Sequence, residues 1–390
     1  MSRLGVPHVP RSTRLTRLVP LLGAALSLAA QPASAQPNRF SQRNLVSNIP
    51  GLAANTDPAL QNPWGISFGP TTPFWISDAN TGVATLYNGA GVKQALTVTI
   101  PGPGGPVPGV PTGQVFNNTT GFNLTPGAGT NLARFIFASA TGTISGWNPA
   151  LGNTAITMVN GFPASSYTGL GIGTSTAGAT LFGANFGTGH VDAFDGNFGT
   201  ASLGGSFTDP GLPSGYAPFN VQNIGGSLYV TYAVVGPDGE DLAGPGNGIV
   251  DVYDTNGNLL RRLVNPGGVL NSPWGVAIAP SHFGAFGGDL LVGNLGDGTI
   301  HAFDPMTGAL QGTLLNQFGN PLVNDGLWAL AFGNNGPGFD PNTLYFTAGL
   351  NDETDGLFGS ISPVPEPSSV ALVATGLGGL LVAARRRRRA

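Results

Sequence analysis

The 390-residue chain has no cysteine, so a disulfide framework, a thiolate nucleophile and a thiolate metal site are all excluded. Charge is nearly as scarce. Only 9% of residues are charged, and nine of the fifteen basic ones sit at the two ends, at Arg3, Arg11, Arg14, Arg17 and Arg385 to Arg389. Residues 36–384 keep six basic residues against nineteen acidic ones, a net charge of −13, and such a body offers no basic face to nucleic acid. Also missing, between about residue 40 and residue 360, is any convincing 3.6-residue apolar period, which leaves almost no helix to expect there.

What the chain does have is 63 glycines and 33 prolines in a sequence that is 41% hydrophobic. That apolar content is too high for disorder, and Val, Ile, Phe and Tyr arrive in short alternating runs. Glycine and proline therefore punctuate many short strands.

The N-terminus reads as an export signal. Arg3 to Arg17 form a positive region, Leu18 to Ala30 an apolar one, and Ala33-Ser34-Ala35 a small-residue cleavage site, so cleavage is expected after Ala35 and residues 1–35 are a signal peptide. The C-terminus reads as a membrane segment. Val370 to Ala384 would be about 22 Å long as a helix, somewhat short of a roughly 30 Å hydrocarbon core, and Arg385, Arg386, Arg387, Arg388 and Arg389 after it are a stop-transfer signal that places the body outside. Pro365, Glu366 and Pro367 stand just before it. This ordered ending, residues 364–390, resembles the PEP-CTERM sorting signal of Gram-negative bacteria. The resemblance implies a membrane-embedded exosortase as a partner, alongside the Sec export machinery and the membrane itself. An ordinary tail anchor after a proline linker would give the same topology.

The body repeats. Six segments align on Gly82, Gly142, Gly189, Gly248, Gly298 and Gly356, spaced by 60, 47, 59, 50 and 58 residues. In five of them an aromatic stands five residues on and Asp or Asn six on: Tyr87-Asn88, Trp147-Asn148, Phe194-Asp195, Tyr253-Asp254 and Phe303-Asp304. The residues between alternate as in a strand, and the Asp or Asn opens the next turn. One strand precedes each glycine, and before it comes another, led by Trp64, Trp274 or Trp328 in the clearest cases. Four antiparallel strands every 50 residues or so predict a β-propeller, all-β and six-bladed, over residues 36–363. The sixth repeat runs straight into the tail and has no fourth strand of its own. Residues 42–49 belong to no complete blade, so this N-terminal strand is expected to close the ring. The segment Pro101 to Pro111 is expected to be a semi-rigid surface loop. A β-sandwich is the alternative, but it predicts no common aromatic register.

Asn62 to Gly69 (NPWGISFG) and Ser272 to Pro280 (SPWGVAIAP) make the body similar to an uncharacterised family of bacterial exported six-bladed propellers with a PEP-CTERM tail, related in fold to NHL-type and lactonase-type propellers. That resemblance implies no established activity.

Little chemistry is legible. After the signal, only His190, His282 and His301 remain, with no triad, Walker or zinc motif around them, so no catalytic residue is assigned. Lactonase-type propellers hold calcium in the channel. The candidate ligands for calcium (Ca2+) here are Asp78, Asn80, Asn185, Asn294, Asp297 and Asp352, of which Asp78, Asn185, Asn294 and Asp352 each stand four residues before a repeat glycine. Turn capping explains the same residues. Trp64, Trp274 and Trp328 are candidates for an aromatic ligand mouth, and packing between blades is the preferred explanation of the same residues. The expectation is an exported cell-surface or extracellular-matrix propeller, a binding or structural module whose ligand the sequence does not name, with extracellular polysaccharide or a matrix protein as candidate partners. The alternative is a calcium-dependent hydrolase of the lactonase type.

Overall fold

The computed structural model describes residues 38–125, 131–336 and 339–364. Ala33 and Ala35, the Pro365-Glu366-Pro367 motif, the apolar stretch 370–384 and the arginine cluster lie outside the described residues. Among those described, no helix is long and apolar enough to cross a membrane.

Six sheets follow one another, each running outward from an inner strand and antiparallel but for the short Asn55–Thr56, which adds in parallel at the edge of the last. The inner strands are Pro63–Ser67, Pro111–Phe116, Tyr167–Ser175, Tyr216–Ile224, Pro273–Ile278 and Leu327–Phe332. Each packs on the inner strands before and after it, and the last packs on the first, so the sheets are blades of a closed six-bladed propeller.

Closure comes from the N-terminus. Phe40–Ser47 pairs antiparallel with Leu357–Pro363, from Phe40 opposite Pro363 to Ser47 opposite Leu357, and is the fourth strand of blade six. Phe40, Leu45 and Val46 are fully buried there, so the strand contributes to the core as well as to the ladder.

Neighbouring inner strands lie unusually close, and glycine permits it. A Cβ on Gly65 would sit 2.6 Å from the Thr112 carbonyl oxygen of the next blade, and one on Gly275 would sit 2.4 Å from that of Trp328. The Trp-Gly pairs of the sequence thus combine a large side chain for the axis with an absent one for the neighbour. The aromatic register has an equally direct cause, since Tyr87, Trp147, Phe194, Tyr253 and Phe303 are all buried. The Asp or Asn that follows each caps a turn: the side chain of Asp195 accepts from the N–H groups of Asn197 and Gly199, and that of Asp254 from those of Asn256 and Asn258.

Two segments depart from the repeat. Blade three has three strands, Tyr167–Ser175, Gly178–Asn185 and His190–Asp195. After the hydrogen bond from Ala201 N–H to the Ala193 carbonyl, the chain turns to the next blade, where Gly205 and Phe207 N–H groups bond to the carbonyls of Asn256 and Gly257. The backbone groups of a fourth strand are thereby satisfied elsewhere. The segment Pro101 to Pro111 is no loop: Pro101–Gly102 and Gly105–Pro108 pair as a two-stranded hairpin, with Gly105 at φ 103 in its turn.

Candidate functional site

The first end of the channel is closed by tryptophan. Asn62 (φ 46), Ser272 (φ 45) and Gly326 (φ 62) each adopt a left-handed conformation two residues before a tryptophan and swing the chain toward the axis. Trp64 stacks on Trp328 with ring centroids 3.5 Å apart, and Trp274 meets both edge-on at 6.2 and 5.9 Å. Phe186 and Phe219 complete the cluster. With 8%, 4% and 1% of their surface exposed, Trp64, Trp274 and Trp328 form a plug in the channel.

Polar side chains clasp one blade to another around this plug. The Trp328 indole N–H donates to Asn62 Oδ1 at 2.9 Å and the Trp274 indole N–H to the Thr168 carbonyl at 3.1 Å. Gln114 Nε2 donates to the Gly65 carbonyl at 2.7 Å, Asn220 Nδ2 to that of Trp274 at 2.9 Å and Asn223 Nδ2 to that of Ile172 at 2.8 Å. These carbonyls belong to inner strands, whose axis-facing groups have no ladder to join. The Trp64 indole N–H, also buried, has no partner among the described residues.

Beyond the plug, toward the ends of the inner strands, lies a cavity of about 510 Å³. All six blades line it, through residues such as Phe68, Phe116, Ile172, Gln222, Ile278 and Phe332. None of the described lining residues is ionisable. Its polar lining consists of amides, hydroxyl and backbone, and the amides of Asn118 and Gln222 make no hydrogen bond among the described residues. Its size falls in the range of small-ligand pockets.

The opposite face, where the inner strands begin, is acidic. Glu353 accepts from Asn62 Nδ2 at 2.7 Å, and burial, with Asp241, Glu240 and Asp325 adding their charge, pushes its carboxyl up to about 7. Asn351, Asp352 and Glu353 are all left-handed, at φ 55, 50 and 62, a run of strained residues over the plug.

The candidate calcium ligands on the second-strand ends are turned into their own blades. Asp78 is wholly buried, with one carboxyl oxygen accepting from Thr85 Oγ1 at 2.7 Å and the other without a partner among the described residues, and burial raises its pKa well above the usual carboxylate range. Asn185 donates to Asp192 at 2.8 Å and accepts from the Ser166 N–H. Asn294 and Asp297 are brought together, at 3.2 Å, and Asn294 also accepts from the Asn271 N–H. Asn80 donates to the Glu353 carbonyl, and Asp352 is exposed. Asp78, Asn185 and Asn294 do not bond to one another, and among the described residues no three His, Cys, Asp or Glu side chains are grouped to hold a metal ion. His301 is held between the hydroxyls of Thr299 and Thr313 at 2.8 and 2.9 Å, with burial lowering its pKa so that it is neutral at pH 7; His190 and His282 are exposed.

Sequence reasoning passes over the cavity amides and the burial of Glu353. A signal exists for the former, since Gln114, Asn220, Gln222 and Asn223 interrupt otherwise apolar inner strands. None exists for that burial, which depends on loops from other blades.

Residues 363–389 match the PEP-CTERM protein-sorting motif. Over the body, the chain is 36% identical across 325 residues to "Uncharacterized protein R648" of Acanthamoeba polyphaga mimivirus, covering 81% of this chain and 78% of that one. It is 35% identical across 324 residues to "Uncharacterized protein L690" of the same virus, covering 81% and 84%. These relatives are viral, so the bacterial source implied by the resemblance has no counterpart among them. Among solved structures, the chain is similar to a streptogramin B lyase (10% identity, 83% of this chain and 97% of that one, TM-score 0.49) and to virginiamycin B lyase from Staphylococcus aureus (11% identity, 84% and 100%, TM-score 0.47). At such scores these likenesses carry no functional argument. The identity to the two mimivirus proteins over most of both lengths is of another order: the chain belongs to their family, and it carries a PEP-CTERM sorting motif at its end.

Proposed function

We propose that this exported propeller is a binding module at the cell surface or in the extracellular matrix, delivered there by exosortase processing of its tail, and that it holds a neutral saccharide in its channel. The cavity carries the reading. Its lining of amides, backbone groups and aromatic rings, without one ionisable side chain, suits a ligand that is uncharged and rich in hydroxyl groups. An amide donates and accepts as a hydroxyl does, and aromatic faces pack on the apolar faces of sugar rings. A charged ligand would lose its hydration there and gain no counter-charge. General acid–base or metal-assisted hydrolysis would need ionisable groups at this cavity, and its described lining residues include none.

The test is calorimetric titration of the full chain with neutral and with uronic-acid oligosaccharides, repeated with Gln222→Trp to fill the cavity. Binding of the neutral set alone, lost in the variant, is expected. Binding of the uronic-acid set, absence of binding by the neutral set, or binding that survives the variant would each overturn the assignment.

A further inference from the structure

The cavity is a well with one mouth. Along the inner strands its lining passes from buried Gly65, Gly113 and Ala329 beside the plug to half-buried Phe68, Phe116 and Phe332 three residues further on. Asn118 and Gly225, at the far end of the lining, are exposed. Three residues of strand make the well about 10 Å deep. Below its floor Trp64, Trp274 and Trp328 fill the axis, and the bonds from the Trp328 and Trp274 indoles to Asn62 and Thr168 tie them into the blades. A chain that enters the well must therefore leave by the mouth it came in through.

Polar groups are graded along the same axis. Near the floor, Gln114 donates to the Gly65 and Trp75 carbonyls at 2.7 and 3.0 Å and accepts from Ser67 Oγ at 3.1 Å. Asn220 donates to the Trp274 carbonyl and accepts from the Val221 N–H at 2.8 Å. These amides are occupied in joining blades or in fixing their own strand. Nearer the mouth, the amides of Gln222 and Asn118 make no hydrogen bond among the described residues, and the rings of Phe68, Phe116 and Phe332 line the same outer part of the well. Ligand hydroxyls thus find free donors, free acceptors and aromatic surface toward the mouth, and Trp274 and Leu330 beneath them.

We infer that the well recognises the end of a saccharide chain and not its interior. The terminal ring rests over Trp274 and Leu330, the ring behind it reaches Gln222, Asn118 and the phenylalanines, and the remainder of the chain lies in solvent. A cavity of about 510 Å³, the size of a drug-sized ligand's site, takes about two or three such rings. An internal stretch of chain would have to fold back on itself inside the well, and that volume leaves no room for two strands of it. The inference rests on the reading of the cavity as a saccharide site.

Linear and cyclic glucans separate an end from an interior. Maltooligosaccharides and cello-oligosaccharides of increasing length, and the cyclodextrins, which have the rings and linkage of the former and no end, are titrated calorimetrically into the full chain in a detergent without a sugar headgroup. Loss of binding in Gln222→Trp assigns the heat to the well. Affinity for the linear set is expected to rise to about three rings and then stay within about twofold, with the cyclodextrins bound at least about a hundredfold more weakly because no ring of theirs can pass the mouth alone. Cyclodextrins binding as well as linear chains would put the interior in the site. Affinity that keeps rising with every added ring would mark a surface groove, and affinity lost beyond about three rings would mark a free short saccharide. Each of these outcomes overturns the inference and leaves the saccharide reading standing, whereas failure of every linear glucan to bind overturns both.

Discussion

Replacing Phe40 by alanine tests the ring closure where sequence separation is greatest. The side chain is fully buried, and its ring lies 4.9 Å from Phe283 and 6.1 Å from Phe286, both in blade five, while its backbone pairs with blade six. Truncating a buried phenylalanine costs about 3–5 kcal/mol through lost transfer free energy and the cavity left behind. That is a large share of a folding stability of about 5–15 kcal/mol. Urea unfolding of the full chain, followed by tryptophan fluorescence from the plug, measures it: the midpoint should fall with little change in slope. Phe318→Ala is the control, because that side chain is 79% exposed and its loss should cost no more than about 0.5 kcal/mol. Phe40→Ala and Phe318→Ala unfolding at the same urea concentration would refute the reasoning, for the N-terminal strand would then be adding nothing that the other blades do not supply alone.

Stability should also depend on pH in a stated direction. Glu353 and Asp251 are both pushed up to about 7, so between about pH 4.5 and 7 the folded chain holds protons that the unfolded chain has released, and stability falls as pH rises through that window. Glu353, raised from 4.5, accounts for about 3 kcal/mol of that fall, and Glu353→Gln should flatten it in melting curves taken from pH 4.5 to 8. Below about pH 4 the sign reverses, because Asp254, Asp304 and Asp355 are held low by hydrogen bonds that protonation breaks. Gly275→Ala forces a Cβ to 2.4 Å from the Trp328 carbonyl oxygen and should cost about 1–3 kcal/mol in urea unfolding, whereas Gly268→Ala, in open space, should cost almost nothing. Glu366→Ala, expressed in a host with an exosortase, should leave the tail uncleaved, read as intact mass; processing at the normal rate would remove the motif from the account.

The blade count and the closing strand are legible in the sequence because glycine, aromatic and Asp or Asn recur at fixed offsets, each serving the same local geometry in every blade. Blade three escapes that logic. Where its fourth strand would fall, the N–H groups of Gly205 and Phe207 bond instead to the carbonyls of Asn256 and Gly257. Pro101 to Pro108 reads as a loop because proline and glycine hide alternation, yet each proline needs only half of a ladder's hydrogen bonds. At the site, the positions of Trp64, Trp274 and Trp328 are legible as inner-strand starts. That their rings meet follows from the width of a six-bladed axis. The cavity is harder to read, since a neutral lining leaves no charged or motif-bearing residue to mark it, and Gln222 or Asn118 alone looks like any surface amide.

The pairing of Phe40–Ser47 with Leu357–Pro363 has a consequence for the order of events in synthesis. The first of the described strands is the last to join its blade, and apart from its short parallel contact with Asn55–Thr56 it waits until some three hundred later residues have appeared. A chain interrupted anywhere before Leu357 therefore presents a free apolar strand at one end and an unfinished ring at the other. Completeness of the translated product is checked by the fold itself, for only a chain finished through its sixth blade can hide its own beginning.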